Sequence, residues 1–217
     1  MDTLLRFTRQ SESVIALGEA DAQLNKLIHV IGELELTVRH NHFYSLAMSV
    51  IGQQLSAKAA STIRKRVSLL CPEFSPEHVL QIPVEQLREA GVSRPKIAYI
   101  HDLCGRIQSK ELDFGGIHQL NNEQVIQMLT AVKGIGTWTA EMFLIFSLGR
   151  TDVLSLADVG LQRAARWLYD TPDALAQHGP RWNPYASVAS LYLWESIDRG
   201  LVDSGASIDE LYQSASQ

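Results

Sequence analysis

Leu129–Asp158 reads LTAVKGIGTWTAEMFLIFSLGRTDVLSLAD, and the fold turns on this stretch. Its pattern is helix, four-residue hairpin, helix, then a short extended run that ends on an acid. The hairpin is Lys133-Gly134-Ile135-Gly136. Glycines at 134 and 136 can take positive φ or let another backbone come close. Ile135 between them pins the turn to a core. The amides that open the next helix then point outward, at the positive end of its dipole, and make a site for a phosphate oxygen. That helix, Thr137–Leu148, carries Trp138, Ala140, Met142, Phe143, Leu144 and Phe146, so it is expected to be a core helix. Alone, Gly-Ile-Gly is also compatible with a tight helix–helix connection of no function.

The company of the hairpin narrows this. The run K-G-I-G-T-W-T-A is followed by D-V-x-x-x-x-D-x-G-L-Q-R-A, from Asp152 to Ala164. Hairpin, spacing and acid together resemble the helix-hairpin-helix DNA glycosylases, and within them the 3-methyladenine (alkylated-base) branch. The resemblance covers about 43 to 200. It implies an all-α fold of two helical subdomains with a cleft between them. One subdomain, 44–150, would carry the helix-hairpin-helix; the other would be built from 1–43 and 151–217.

Composition bounds the rest. A chain of 217 residues with 46% hydrophobic residues is long enough for a sizeable core. No run of about 18 apolar residues is present, so no membrane span is expected. The N-terminus, MDTLLRFTRQSESV, lacks the pattern of a signal peptide. Two cysteines, Cys71 and Cys104, make neither a disulfide framework nor the four-ligand set of an iron–sulfur cluster. A cytoplasmic protein with reduced thiols is expected (nucleoid-associated or nuclear, according to the cell). The net charge of −5 argues mildly against nucleic acid, whose binding is largely electrostatic. Backbone amides need no basic side chain, however, and basic residues gather at Lys58/Arg64/Lys65/Arg66, Arg94/Lys96 and Arg163/Arg166.

Along the chain, residues 1–19 are polar and give no clear element. Asp21–Ile31 carries Leu24, Leu27, Ile28 and Ile31 at amphipathic helical spacing. His40 and His42 lack a third ligand at metal spacing. Helices are expected over 43–54, from Ser56 as N-cap to Cys71, over 72–81 and 83–90, and from Ser93 to Ser109. Asn121 or Asn122 caps a helix to Val132. After Asp158 come helices to Tyr169, from Thr171 as cap with Pro172 in its first turn, and over 185–199. A frayed tail is expected from Ser204, and no strand is expected anywhere.

The resemblance assigns roles to particular residues. Asp158 sits at a helix start, which an ordinary N-cap aspartate also explains. As the family's catalytic aspartate it would stabilise the positive charge that builds on the sugar when an N-glycosidic bond breaks, or orient or deprotonate the attacking water. Ala157 stands where the family often has a second acid. Trp138 stands where strand-cutting members carry the lysine that forms a Schiff base, which implies a hydrolase without lyase activity. Trp138, Met142 and Trp194 match positions of the base pocket, where electron-rich rings attract a cationic alkylated purine. Each tryptophan is also ordinary core material. In Ile51-Gly52-Gln53-Gln54-Leu55-Ser56, two adjacent glutamines are poor core residues; the resemblance puts this element at the DNA, with Gln54 and Leu55 nearest the gap left by a displaced base. DNA contacts are thus expected at Gln53, Gln54, Leu55, Ser56, Lys133, Gly134, Ile135, Gly136 and Thr137. In Trp182-x-Pro184-Tyr185, Ala186 replaces the family's usual arginine. No cofactor is required, though the resemblance allows a monovalent cation, sodium or potassium, on the carbonyls of Thr130, Val132 and Gly134. The implied partner is double-stranded DNA containing alkylated bases, met by a monomer. A non-catalytic hairpin DNA-binding module, an all-α interaction domain and a glycosylase for another lesion stay open as readings.

Overall fold

The computed structural model describes residues 2–216. In chain order its elements are β1 (Thr3–Phe7), α1 (Glu12–Ala20), α2 (Ala22–Ile31), β2 (Leu34–Val38), α3 (His42–Gly52), α4 (Ala57–Leu70), α5 (Pro76–Gln81), α6 (Val84–Glu89), α7 (Arg94–Gln108), α8 (Asn122–Thr130), α9 (Thr137–Leu148), α10 (Val159–Tyr169), α11 (Ala174–His178), α12 (Ala186–Asp198) and α13 (Ile208–Ala215). The fold is helical, as expected, with one exception: β1 and β2 pair antiparallel, Thr3 opposite Val38 and Phe7 opposite Leu34. Leu34, Leu36 and Val38 alternate with polar residues and are buried, a period-two pattern short enough to pass as a loop. Its partner lies two helices earlier, so no local turn announced the pair. The chain forms two compact units, Met1–Val38 with Gly149–Gln217, and Arg39–Leu148.

In the first unit the stripe Leu24, Leu27, Ile28 and Ile31 is buried as its spacing requires. α10 packs on α12, and α2 packs on α12 and α13. Asp21 caps α2 by accepting the Gln23 and Leu24 amides, each at 3.1 Å. Its other oxygen accepts the Tyr169 hydroxyl at 2.7 Å and Trp182 Nε1 at 3.1 Å. Trp182 is therefore a buried structural residue tied to a buried carboxylate. Burial, then the bond to Asp21, raise the Tyr169 hydroxyl far above its ordinary pKa. Two further expectations fail in this unit. Thr171 caps nothing: its hydroxyl donates to the Tyr169 carbonyl at 3.1 Å, and α11 begins only after Asp173. The tail from Ser204 is not frayed: Ser207 and Glu210 form a capping box, and α13 buries Ile208.

In the second unit α3 is central and packs on α4, α7 and α9. Its buried members include Phe43, Leu46, Ala47, Val50 and Ile51. α7 buries Ile97, Ile100, Leu103 and Cys104 along one face. Cys71 and Cys104 are buried free thiols, and burial pushes Cys104 up to about 12. Ser56 caps α4 through the Ala59 amide, but Ser93 makes no side-chain cap on α7. Asn121, not Asn122, caps α8 in a capping box with Gln124. α8 stops at Thr130 rather than Val132, because the Val132 amide already turns back to the Leu129 carbonyl at 3.1 Å. His42 packs among Phe114, His118 and Phe143, its ring centroid 5.4 Å from that of Phe143.

Candidate functional site

The hairpin is held from three directions inside the second unit. Ile135 is buried, as expected. Gly134 takes φ 77°, and a Cβ there would lie 2.1 Å from the Tyr99 ring, so both backbone and space demand glycine. Gly136 has no positive φ, and a Cβ there would meet nothing within 4 Å. The Asp102 carboxylate accepts the Lys133 amide at 3.0 Å and Arg106 Nε at 3.0 Å, with Lys133 Nζ 3.7 Å away. Burial raises the Asp102 carboxyl, and the Lys133 amide and Arg106 outweigh that and hold it below its ordinary value. The helical ladder of α9 starts with Ala140 donating to the Gly136 carbonyl at 3.1 Å. By helix geometry, the amides that open α9 before that first rung point out of its N-terminus.

The Gln53–Ser56 turn joins α3 to α4 and touches the hairpin. Gln53 Nε2 donates to the Gly134 carbonyl at 2.8 Å and lies 3.5 Å from Thr139 Oγ1. Gln54 sits in the left-handed region at φ 56°, a conformation that costs a non-glycine residue about 1–3 kcal/mol and persists only where its surroundings enforce it. Gln54, Leu55 and Ser56 are all exposed to solvent. Gln53, by contrast, is half-buried and faces the hairpin, so its amide is engaged within the protein.

Trp138 is 45% exposed and is not core packing. With Met142 it lines an open pocket of about 530 Å³, whose other walls include Arg39, Tyr44, Met48 and Arg64. That volume suits a small ligand. The electron-rich surface expected from Trp138 thus comes with two guanidinium groups. Burial, then the charge of Arg39, pull Arg64 below its ordinary pKa.

In the first unit the residues before Asp158 are fixed by α12. Ser187 Oγ accepts the Val153 amide at 3.0 Å and donates to the Val153 carbonyl at 3.1 Å; the Ser187 amide donates to the Thr151 carbonyl at 2.8 Å. A turn follows, with the Asp158 amide on the Ser155 carbonyl at 3.1 Å. Asp158 is 7% exposed. Its Oδ1 caps α10 through the Leu161 amide at 2.8 Å and accepts Trp194 Nε1 at 3.3 Å. A Cβ on Gly160 would come within 3.1 Å of the same oxygen, so Gly160 leaves the carboxylate room. Cap and acid are one residue, and Trp194 is a partner of the carboxylate.

The candidate residues therefore fall into two sets: hairpin, glutamine turn, Trp138 and Met142 in one unit, Asp158 and Trp194 in the other. Of the carbonyls assigned to a cation, that of Gly134 accepts Gln53 and that of Val132 accepts the Ile135 amide at 3.2 Å. Each carbonyl oxygen has a second lone pair, so the donor set fits such an ion. Ser187, Tyr99 and Asp102, which hold these elements in place, carry no mark of that role in the local sequence. Lys96, Tyr99, Asp102 and Arg106 recur at steps of three and four along α7, a polar stripe beside the apolar one.

Residues 47–178 match the HhH-GPD superfamily base excision DNA repair protein family. A DNA-3-methyladenine glycosylase from Schizosaccharomyces pombe is 30% identical over 205 residues, covering 87% of this chain and 88% of that protein. A crystal structure of a DNA-3-methyladenine glycosidase from Bacillus halodurans superposes with a TM-score of 0.87 at 43% identity, covering 96% of this chain and 99% of the other. A 3-methyladenine DNA glycosylase from Schizosaccharomyces pombe in complex with abasic DNA matches with a TM-score of 0.77 at 28% identity, covering 87% and 97%. With its hairpin, its capping aspartate and this similarity over most of its length, the chain belongs to the HhH-GPD superfamily of base excision DNA repair proteins.

Proposed function

We propose that this protein is a monofunctional DNA glycosylase that hydrolyses the N-glycosidic bond of alkylated purines, of the 3-methyladenine type, in duplex DNA. The observation that carries the reading is Asp158: a carboxylate 7% exposed, fixed by the Leu161 amide and by Trp194, in a chain whose relatives over nearly its full length are named 3-methyladenine glycosylases.

The chemistry follows from charge. An alkylated purine nucleoside of this type is a cation. When the bond breaks, its electron pair goes to the base, which leaves neutral and needs no acid to protonate it. Ala157 in place of a second acid is compatible with that. The sugar is left as an oxocarbenium ion, and the Asp158 carboxylate stabilises it by preorganised electrostatics. Water adds to the anomeric carbon, its proton passes to a base such as Asp158 or to solvent, and an abasic sugar remains. The target must first leave the stack, at a cost of a few kcal/mol that is least for a damaged base. Gln54 and Leu55, exposed on a turn with a left-handed residue, fill the gap in this reading. The hairpin amides and Thr137 take a strand phosphate; the Thr130, Val132 and Gly134 carbonyls would hold a monovalent cation, which would supply positive charge toward that phosphate. Trp138 and Met142 receive the base, and the protein works as a monomer.

Trp138 offers no amine, so no Schiff base forms. The test is the state of the strand after base release from a methylated duplex. The strand should stay intact until alkali is added, and borohydride should trap no protein–DNA adduct. Strand cleavage without alkali, with a trapped adduct, would overturn the monofunctional assignment.

A further inference from the structure

Lys96 lies on α7, and its ammonium is spent within the protein. It donates to the Ile51 carbonyl at 2.8 Å and to the Gln53 carbonyl at 2.6 Å, at the end of α3 just before the strained Gln54. Arg64 Nε takes the Met48 carbonyl at 2.8 Å, about one turn earlier. Its guanidinium lies against Gly52, where a Cβ would meet Nη2 at 2.1 Å. The end of α3 is thus closed by two cations from two other helices. The same α7 reaches the hairpin: Tyr99 packs under Gly134, and Asp102 holds the Lys133 amide. Gln53 completes the circuit through the Gly134 carbonyl. A solvated lysine loses little by moving. One that satisfies two carbonyls beside a left-handed residue fixes the backbone there.

We infer that Lys96 is a positioning residue for base displacement: it locks the Gln53–Leu55 turn to the helix that also holds the hairpin, so that phosphate grip and gap filling occur at a fixed spacing. The inference rests on the function proposed above. Lys96 touches neither base nor sugar. Its effect is confined to the step in which the turn replaces the outgoing base. Burial and Arg64 pull its pKa below the ordinary value, in keeping with an ammonium aimed at carbonyls rather than at water.

The experiment measures single-turnover release of N7-methylguanine from two duplexes. In one the lesion faces cytosine; in the other it faces an abasic-site analogue, so that no pair holds the base. Lys96→Met keeps the stem and removes the donors, and Lys96→Arg restores donors. Displacement is costly only for the paired lesion, so Lys96→Met should slow its release about tenfold and leave the unpaired lesion within about twofold. Lys96→Arg should recover part of the paired rate. Should Lys96→Met fail to fold, Lys96→Gln, with a shorter donor, carries the same comparison. Equal slowing on both duplexes, or none on either, overturns the inference. Release by the wild type of neither N7-methylguanine from these duplexes nor 3-methyladenine from methylated duplex DNA overturns the proposed function itself.

Discussion

Gly134 and Gly136 look alike in the sequence and differ in what a methyl group would meet. Gly134 combines φ 77° with the Tyr99 ring at 2.1 Å, whereas Gly136 has open space. Gly134→Ala should cost about 2–4 kcal/mol of stability, from strain and overpacking together, and Gly136→Ala less than about 1 kcal/mol. Denaturant unfolding of the two variants checks this, and equal losses would contradict the geometry. The need for glycine was legible in the K-G-I-G turn; which glycine was needed was not, because Tyr99 comes from α7, a helix well separated from the hairpin in sequence. The same holds for Asp158. Its cap position was readable from the helix start, while its bond from Trp194 joins residues on different helices. Trp138 was open between core and pocket, and its exposure decides against the core.

At the level of elements, the extended run before Asp158 depends on α12. Ser187 is buried and satisfies both the amide and the carbonyl of Val153. Ser187→Ala leaves both groups without that partner and should cost about 1–3 kcal/mol. Base release should fall further than the folded fraction accounts for, since the run that places Asp158 is loosened. Activity in proportion to folded protein would contradict this. α13 makes a second case. Ending the chain after Asp203 removes the buried Ile208, the bond from Trp167 Nε1 to the Ala206 carbonyl at 3.0 Å, and the Lys26–Asp209 pair. The melting temperature should drop by an amount corresponding to about 2–3 kcal/mol; an unchanged melt would mean that α13 adds nothing to the unit. Its sequence looked like a tail because small polar residues surround it. The signals were Ser207-x-x-Glu210 and the spacing of Ile208, Leu211 and Tyr212. The β1–β2 pair escaped for a related reason: each strand is five residues, and pairing across two helices leaves no local mark.

For the whole molecule, the net charge of −5 sets the terms of DNA binding. If hairpin amides rather than a basic face carry the phosphate contacts, few counterions are released. The slope of log affinity against log salt should then lie between about −2 and −4, whereas about −6 or steeper would mean that lysine and arginine side chains dominate. The helical architecture was legible from periodicity and caps, since most helices are local and amphipathic. The partners that aim the site were not, because Lys96, Asp102 and Ser187 act across elements distant in sequence. The central claim is that Asp158 carries the reaction, and release of free base from methylated duplex DNA by the wild type and by Asp158→Asn tests it most directly. The amide keeps the shape of the side chain and removes the charge to which the proposed mechanism assigns stabilisation of the cationic sugar. The wild type should release 3-methyladenine, and the variant should lose about a hundredfold or more of that rate with DNA still bound. Equal release by both proteins would contradict the assignment of Asp158.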